Sequence, residues 1–130
     1  MFKFSGTRPS NLGVKDGKLA ACPSSPNCVN SQADDGHHGI GPLAFSGDAV
    51  IAMQKLARVV SALPRTQVIQ SRADYLYVEF STALMGFVDD VEFYCDGKAI
   101  QVRSASRLGY SDLGVNRKRI EAIRAAFRNR

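Results

Sequence analysis

The sequence predicts an α+β fold: a four-stranded antiparallel β-meander at about residues 66–107, packed by two α-helices at about 48–62 and 116–128, with an irregular N-terminal arm. Three observations predict it. Two segments carry apolar residues at three- and four-residue steps, which gathers them on one helix face. Between them, short segments alternate apolar and polar residues, the period of a half-buried strand. Asp96-Gly97 then separates the last two of those segments with a strong hairpin signal. The chain divides into an arm and Cys-Pro loop over 1–45 and an α-β-β-β-β-α body over 46–130, forming one domain overall. Its 130 residues suffice for a core that needs no metal or disulfide.

The arm comes first. Gly6, Pro9, Gly13 and Gly17 punctuate residues 1–21, with no helical or strand period, while Leu12, Val14 and Leu19 are apolar pins to the body. Cys22-Pro23-Ser24-Ser25-Pro26-Asn27-Cys28-Val29-Asn30-Ser31 reads as a rigid loop, because proline fixes φ and Ser and Asn bond their own backbone. A Cys22–Cys28 disulfide is conceivable there. It would close a seven-residue loop, contributing about 2.4 kcal/mol on a chain-entropy basis. The N-terminus lacks the apolar stretch of a secretory signal, so the expected location is cytoplasmic and the thiols reduced. Residues 32–42 hold Asp34, Asp35, His37 and His38 among glycines. Their spacing from Cys22 and Cys28 does not match the tight ligand pairs of structural zinc motifs, so the expectation is an exposed loop and no metal.

Ser46-Gly47-Asp48 opens the first helix, with Ser46 as the expected N-cap. Ala49, Ala52, Met53, Leu56, Val59, Val60 and Leu63 form its stripe, and Pro64 stops it. Strands are expected at 66–71, 75–82, 87–95 and 98–107, with a turn at Arg72-Ala73-Asp74 and a break at Met85-Gly86. A two-residue Asp96-Gly97 loop would place Cys95 opposite Lys98, Asp90 opposite Arg103, Asp89 opposite Ser104 and Phe87 opposite Ser106. Asp89, Ser104 and Ser106 then fall on the apolar face, where a carboxylate needs partners. Ile120, Ile123, Ala126 and Phe127 form the last helix's stripe. Its first turn carries Arg117, Lys118 and Arg119, three cations at the positive end of the dipole. Asp89, Asp90, Asp112 or a bound anion should answer them.

Three segments carry a family resemblance: Cys-Pro-Ser-Ser-Pro-Asn-Cys-Val at 22–29, Phe-Val-Asp-Asp-Val-Glu-Phe at 87–93, and Arg-Ser-Ala-Ser-Arg-Leu-Gly-Tyr-Ser-Asp-Leu-Gly-Val-Asn-Arg-Lys-Arg at 103–119. In these the chain resembles the bacterial and plastid proteins grouped as domain of unknown function 1499. The resemblance implies a compact α+β domain and no particular reaction. Some relatives carry export or membrane segments, and neither is expected here.

Three functional readings follow. The leading one is a non-catalytic binding or accessory module. Its Arg/Asp/Ser site for a small anionic ligand would draw on Asp89, Asp90, Arg103, Ser104, Ser106, Arg107, Tyr110, Ser111, Asp112, Asn116, Arg117 and Arg119, since guanidinium forks suit carboxylates and phosphates. The competing reading of the same residues is a structural ion-pair network. The second is an enzyme, although no phosphate loop, nucleophile elbow or His-Glu zinc motif is present. Adjacent Asp89 and Asp90 point to opposite faces of a strand, and a Cys28 thiol with His37 or His38 would need the loops to meet. No catalytic residue and no cofactor is assigned. The third is a protein-interaction factor using the face that carries Tyr75, Tyr77, Glu79, Asp90, Glu92, Tyr94, Gln101 and Arg103. Net charge is +5, concentrated in Arg103, Arg107, Arg117, Lys118, Arg119, Arg124, Arg128 and Arg130. Without Trp or interleaved aromatics, a nucleic-acid platform is not expected, and no apolar run is long enough to span a membrane.

Overall fold

The computed structural model describes residues 5–83 and 86–129. In chain order its elements are β1 (Cys28–Asn30), α1 (Ala49–Ser61), β2 (Thr66–Ser71), β3 (Tyr75–Ser81), β4 (Val88–Cys95), β5 (Ile100–Ser106) and α2 (Val115–Arg128). The fold is α+β, and the sheet is antiparallel throughout in the order β1-β5-β4-β3-β2. It therefore has five strands, not four. The additional strand lies in the segment read as a rigid loop: Cys28, Val29 and Asn30 pair with Ala105, Ser104 and Arg103. Three residues are too few for alternation to register in the sequence. Their pairing covers the outer edge of β5, whose backbone groups would otherwise stay open. The expected break at Met85 lies outside the described residues.

Asp48, not Ser46, caps α1, accepting a hydrogen bond from the Ile51 amide at 3.0 Å. Ala52, Met53, Leu56, Val59 and Val60 are buried as the stripe requires. Ala52, Met53, Leu56 and Val60 meet Ile120, Ile123 and Phe127 of α2 and one sheet face carrying Leu76, Val78, Val91, Phe93, Ile100 and Val102.

The β4–β5 register is shifted by two residues from the expected one: Cys95 faces Ile100, Glu92 faces Arg103, Asp90 faces Ala105 and Asp89 faces Ser106. The cause is the Asp96 carboxylate. It accepts from the Lys98 and Ala99 amides, both at 2.9 Å, and from Gln101 Nε2 at 3.0 Å, while the Asp96 amide donates to the Ala99 carbonyl at 3.2 Å. The loop is thereby lengthened to four residues. An even shift leaves every side chain on its predicted face, whereas a one-residue slip would have inverted them.

The second face of the sheet is not an open surface. The arm lies over it, covering the face read as an interaction surface. Leu12, Val14 and Leu19 pack against Ile69, Tyr75, Tyr77 and Tyr94. The Gly13 amide donates to Glu92 at 2.7 Å, the Leu19 amide to Gln32 Oε1 at 2.9 Å, and Asn30 Nδ2 to the Ala20 carbonyl at 2.8 Å.

Cys22 and Cys28 are joined by the disulfide that their spacing made conceivable, and are not the reduced thiols expected from a cytoplasmic location. It closes the Cys-Pro loop where the arm gives way to β1. Replacing both cysteines by Ala is expected to lower stability by about 2.4 kcal/mol, read as a lower urea midpoint. The same replacement under strong reductant should then change nothing further.

Candidate functional site

The expected site residues divide between the two faces of the sheet. On the helix face Asn116, fully buried in the first turn of α2, is the hub. Its Nδ2 donates to Asp112 Oδ2 at 2.7 Å, Ser106 Oγ at 2.9 Å and the Asn27 carbonyl at 3.2 Å. Its Oδ1 accepts from Ser104 Oγ at 2.6 Å and Arg119 at 2.8 Å. Arg119 also pairs with Asp89 at 2.7 Å and lies over the Phe80 ring. Asp112 accepts from the Gly114 amide at 2.8 Å and the Asn116 amide at 3.1 Å, so it supplies the anion that the helix dipole calls for. Burial pushes the Asp112 carboxyl up, but these donors outweigh burial and hold it below its ordinary value. Of the cations opening α2, Arg119 is thus answered from within by Asp89, while Asp112 offsets the helix dipole itself.

The arm face carries a separate network, to which Asp90, Arg103 and Arg107 belong. Arg107 grips Asp90 with two parallel bonds of 2.9 and 2.8 Å and reaches Glu79 at 2.5 Å. Tyr77 Oη donates to Asp90, and Arg8 reaches Glu79 from the arm at 2.8 Å. The hydrogen bonds to Asp90 hold the Arg107 guanidinium more firmly protonated than usual. Burial raises the Tyr77 hydroxyl, and the Asp90 bond raises it further. Glu92 is fully buried and accepts from Tyr75 Oη at 2.5 Å; burial lifts its carboxyl above the ordinary range. Arg103 is buried across the strand from it, and burial lowers its guanidinium. Among the described residues Glu92 Oε1 and Arg103 Nε have no hydrogen-bond partner. Asp89 and Asp90 therefore serve opposite faces, as strand alternation requires.

A cleft of about 230 Å³ opens beside the first network, at the end of the sheet where β4 begins and β5 ends. Thr82, Phe87, Val88, Leu108 and Val115 give it apolar walls, and Asp89, Ser106, Ser111 and Asp112 are its polar lining, with Gly109 between. Asn27 holds this rim from the disulfide loop: its Nδ2 donates to the Gly109 carbonyl at 2.7 Å.

The profile of the family described as protein of unknown function (DUF1499) matches residues 18–127, nearly the whole chain. The chain belongs to the DUF1499 family. No curated protein and no solved structure matches it.

In this DUF1499 chain, Asp89, Ser106, Ser111 and Asp112 line the cleft, with Ser104, Asn116 and Arg119 in the network beside it, while Asp90, Arg103 and Arg107 lie behind the sheet. Tyr110 is 71% exposed and outside the cleft, and Arg117 donates to the His37 carbonyl at 3.2 Å. Sequence reasoning missed Phe87, Leu108 and Val115 on the walls and Asn27 on the rim. The first three are apolar residues in or beside connections, a signal usually assigned to packing. Asn27 sits in a loop distant in sequence.

His38 does not meet a thiol. Its Nδ1 lies 2.7 Å from Asp35 Oδ2 and its Nε2 2.9 Å from the Ser25 carbonyl. Both partners accept, so the imidazolium, with two N–H donors, suits the site. The Ser25 carbonyl bond raises the imidazole above its ordinary 6.5; burial opposes this and Asp35 adds to it. A group whose pKa is raised on folding stabilises fully below its unfolded value. The His38 contribution should therefore be intact below pH 6.5 and fade as pH rises through the raised value. The stability difference between the parent and His38→Gln, followed by urea unfolding across that range, should shrink on the alkaline side.

Proposed function

We propose that this DUF1499 protein is a non-catalytic binding module and that its ligand enters the cleft beside α2. The supporting observation is an apolar-walled cleft whose polar lining is held in place by the buried Asn116 hub. Ligand pockets are commonly apolar with a few fixed polar groups. At about 230 Å³ the cleft lies below the usual range for drug-sized ligands, so the ligand is a ring-sized molecule or a single side chain.

The charge of that ligand follows from what the arginines already do. Arg107 is engaged by Asp90 and Glu79, and Arg119 by Asp89. At the cleft a small anion, the ligand expected from the guanidinium forks, would have to displace one of these carboxylates. The charged side chains on the cleft wall, among the described residues, are Asp89 and Asp112. A largely apolar body with a neutral or cationic hydrogen-bond-donating head fits this lining better.

Benzyl alcohol, benzylamine and benzoate share one ring and differ in the head group. Saturation-transfer NMR should detect the alcohol and the amine on the protein, with benzoate weakest. Val115→Glu, a change at a half-exposed wall residue, should abolish the signal without unfolding the chain. Preference for benzoate would restore the anionic ligand. Binding of none of the three, or binding unaffected by Val115→Glu, would remove the cleft as a ligand site.

A further inference from the structure

We propose that the tip formed by the β5–α2 connection docks on an anionic lipid surface. Leu113 is 86% exposed and Tyr110 71%, with Leu108 at 41% and Val115 at 42%, all within eight residues of chain. Monomeric soluble proteins seldom group large apolar side chains this way without a use for them. The backbone reinforces the point. Leu113 has φ 55°, a left-handed conformation that a leucine adopts at a cost and that Asn or Gly takes readily. Asp112 fixes the turn through the Gly114 and Asn116 amides, so the leucine is held outward.

The charge around the tip selects the partner. Arg117 and Lys118 follow Val115 in the first turn of α2. Arg65 precedes β2, whose first residue pairs with Phe80 at the same end of the sheet. The acids at this end, Asp89 and Asp112, line the cleft and not the tip, and each has partners within the chain. An apolar tip with a cationic collar matches a bilayer interface carrying anionic headgroups. The contact is peripheral, since no helix among the described residues is long and apolar enough to cross a membrane. It goes beyond the cleft reading, because Leu113 and Tyr110 do not line the cleft.

Leu113→Asn tests this without endangering the fold, since Asn tolerates the left-handed backbone. The full chain is mixed with phosphatidylcholine vesicles, with and without phosphatidylglycerol, and sedimented. The parent should co-sediment with the phosphatidylglycerol vesicles and less so as salt is raised. Leu113→Asn should weaken that partition about tenfold, roughly the effect of removing one buried leucine, while its melting temperature is unchanged or higher. Lys118→Glu should weaken it as well. Failure of the parent to bind, equal binding to both vesicle types, or undiminished binding by Leu113→Asn would each overturn the proposal. Self-association through the tip without vesicle binding would do so in favour of a second copy of the chain. Benzyl alcohol binding that survives in Leu113→Asn keeps the fate of the cleft separate from that of the tip.

Discussion

Arg107→Ala is expected to destabilise the protein by about 3–5 kcal/mol, the range for removing one partner of a buried ion pair. Asp90 is 1% exposed and takes two bonds from this guanidinium. Its remaining donor among the described contacts is the Tyr77 hydroxyl. Without Arg107 the carboxylate is left in a poorly solvated site with one donor, which reduces stability. The arm should loosen as well, because Arg107 also binds Glu79, which holds Arg8, and donates to the Ser5 carbonyl at 3.4 Å. Urea unfolding should show the lower midpoint, and limited proteolysis should cut earlier within residues 5–21. Arg107→Lys should recover only part of the loss, since an ammonium group cannot make the two parallel bonds.

Asn116→Ala should cost about 3 kcal/mol, on the basis of about 1–3 kcal/mol for each buried polar group left unpaired. Ser104, Ser106, Asp112, Arg119 and the Asn27 carbonyl all use this side chain. Asn116→Asp conserves volume yet should be worse, because it replaces the Nδ2 donor with an oxygen facing Asp112 and the Asn27 carbonyl. Amide exchange should report where the damage falls. Protection should drop at the start of α2 and in 27–30, while β2 and β3 retain theirs.

Much of this architecture was legible in the sequence because it rests on local periodicity. The α1 stripe, the bounds of β2 and the inward faces of β4 and β5 follow from steps of three, four and two. What escaped depends on contacts between distant segments. Nothing near Leu12, Val14 and Leu19 says which sheet face they cover, so the arm's position over Tyr75 and Tyr77 could not be read. The three residues of β1 are too short to show a period. The Asp96 side-chain bonds that lengthen the hairpin are local, but Asp-Gly more often signals the shorter loop.

The candidate site was half legible for a related reason. Parity along β5 carries the needed information: Ser104 and Ser106 face the helices, while Arg103 and Arg107 face the arm. Grouping residues 103–119 by polarity ignored that parity and merged two networks into one anion site. Alternation had already placed Asp89 and Asp90 on opposite faces. It had also placed Arg103 with Asp90, and applied to Arg107 as well it would have separated Arg107 from Ser106.

Arg107 and Arg119 are occupied by the chain's own carboxylates, which leaves the cleft as the proposed place for a ligand. Arginine Nε–Hε resonances test it most directly, recorded with backbone amides during separate titrations with phosphate and benzyl alcohol. The Arg107 and Arg119 resonances should stay put as phosphate is added, while the Gly109 and Val115 amides move with benzyl alcohol. Saturable movement of the Arg107 or Arg119 resonance with phosphate, and still amides at Gly109 and Val115 with the alcohol, would contradict it.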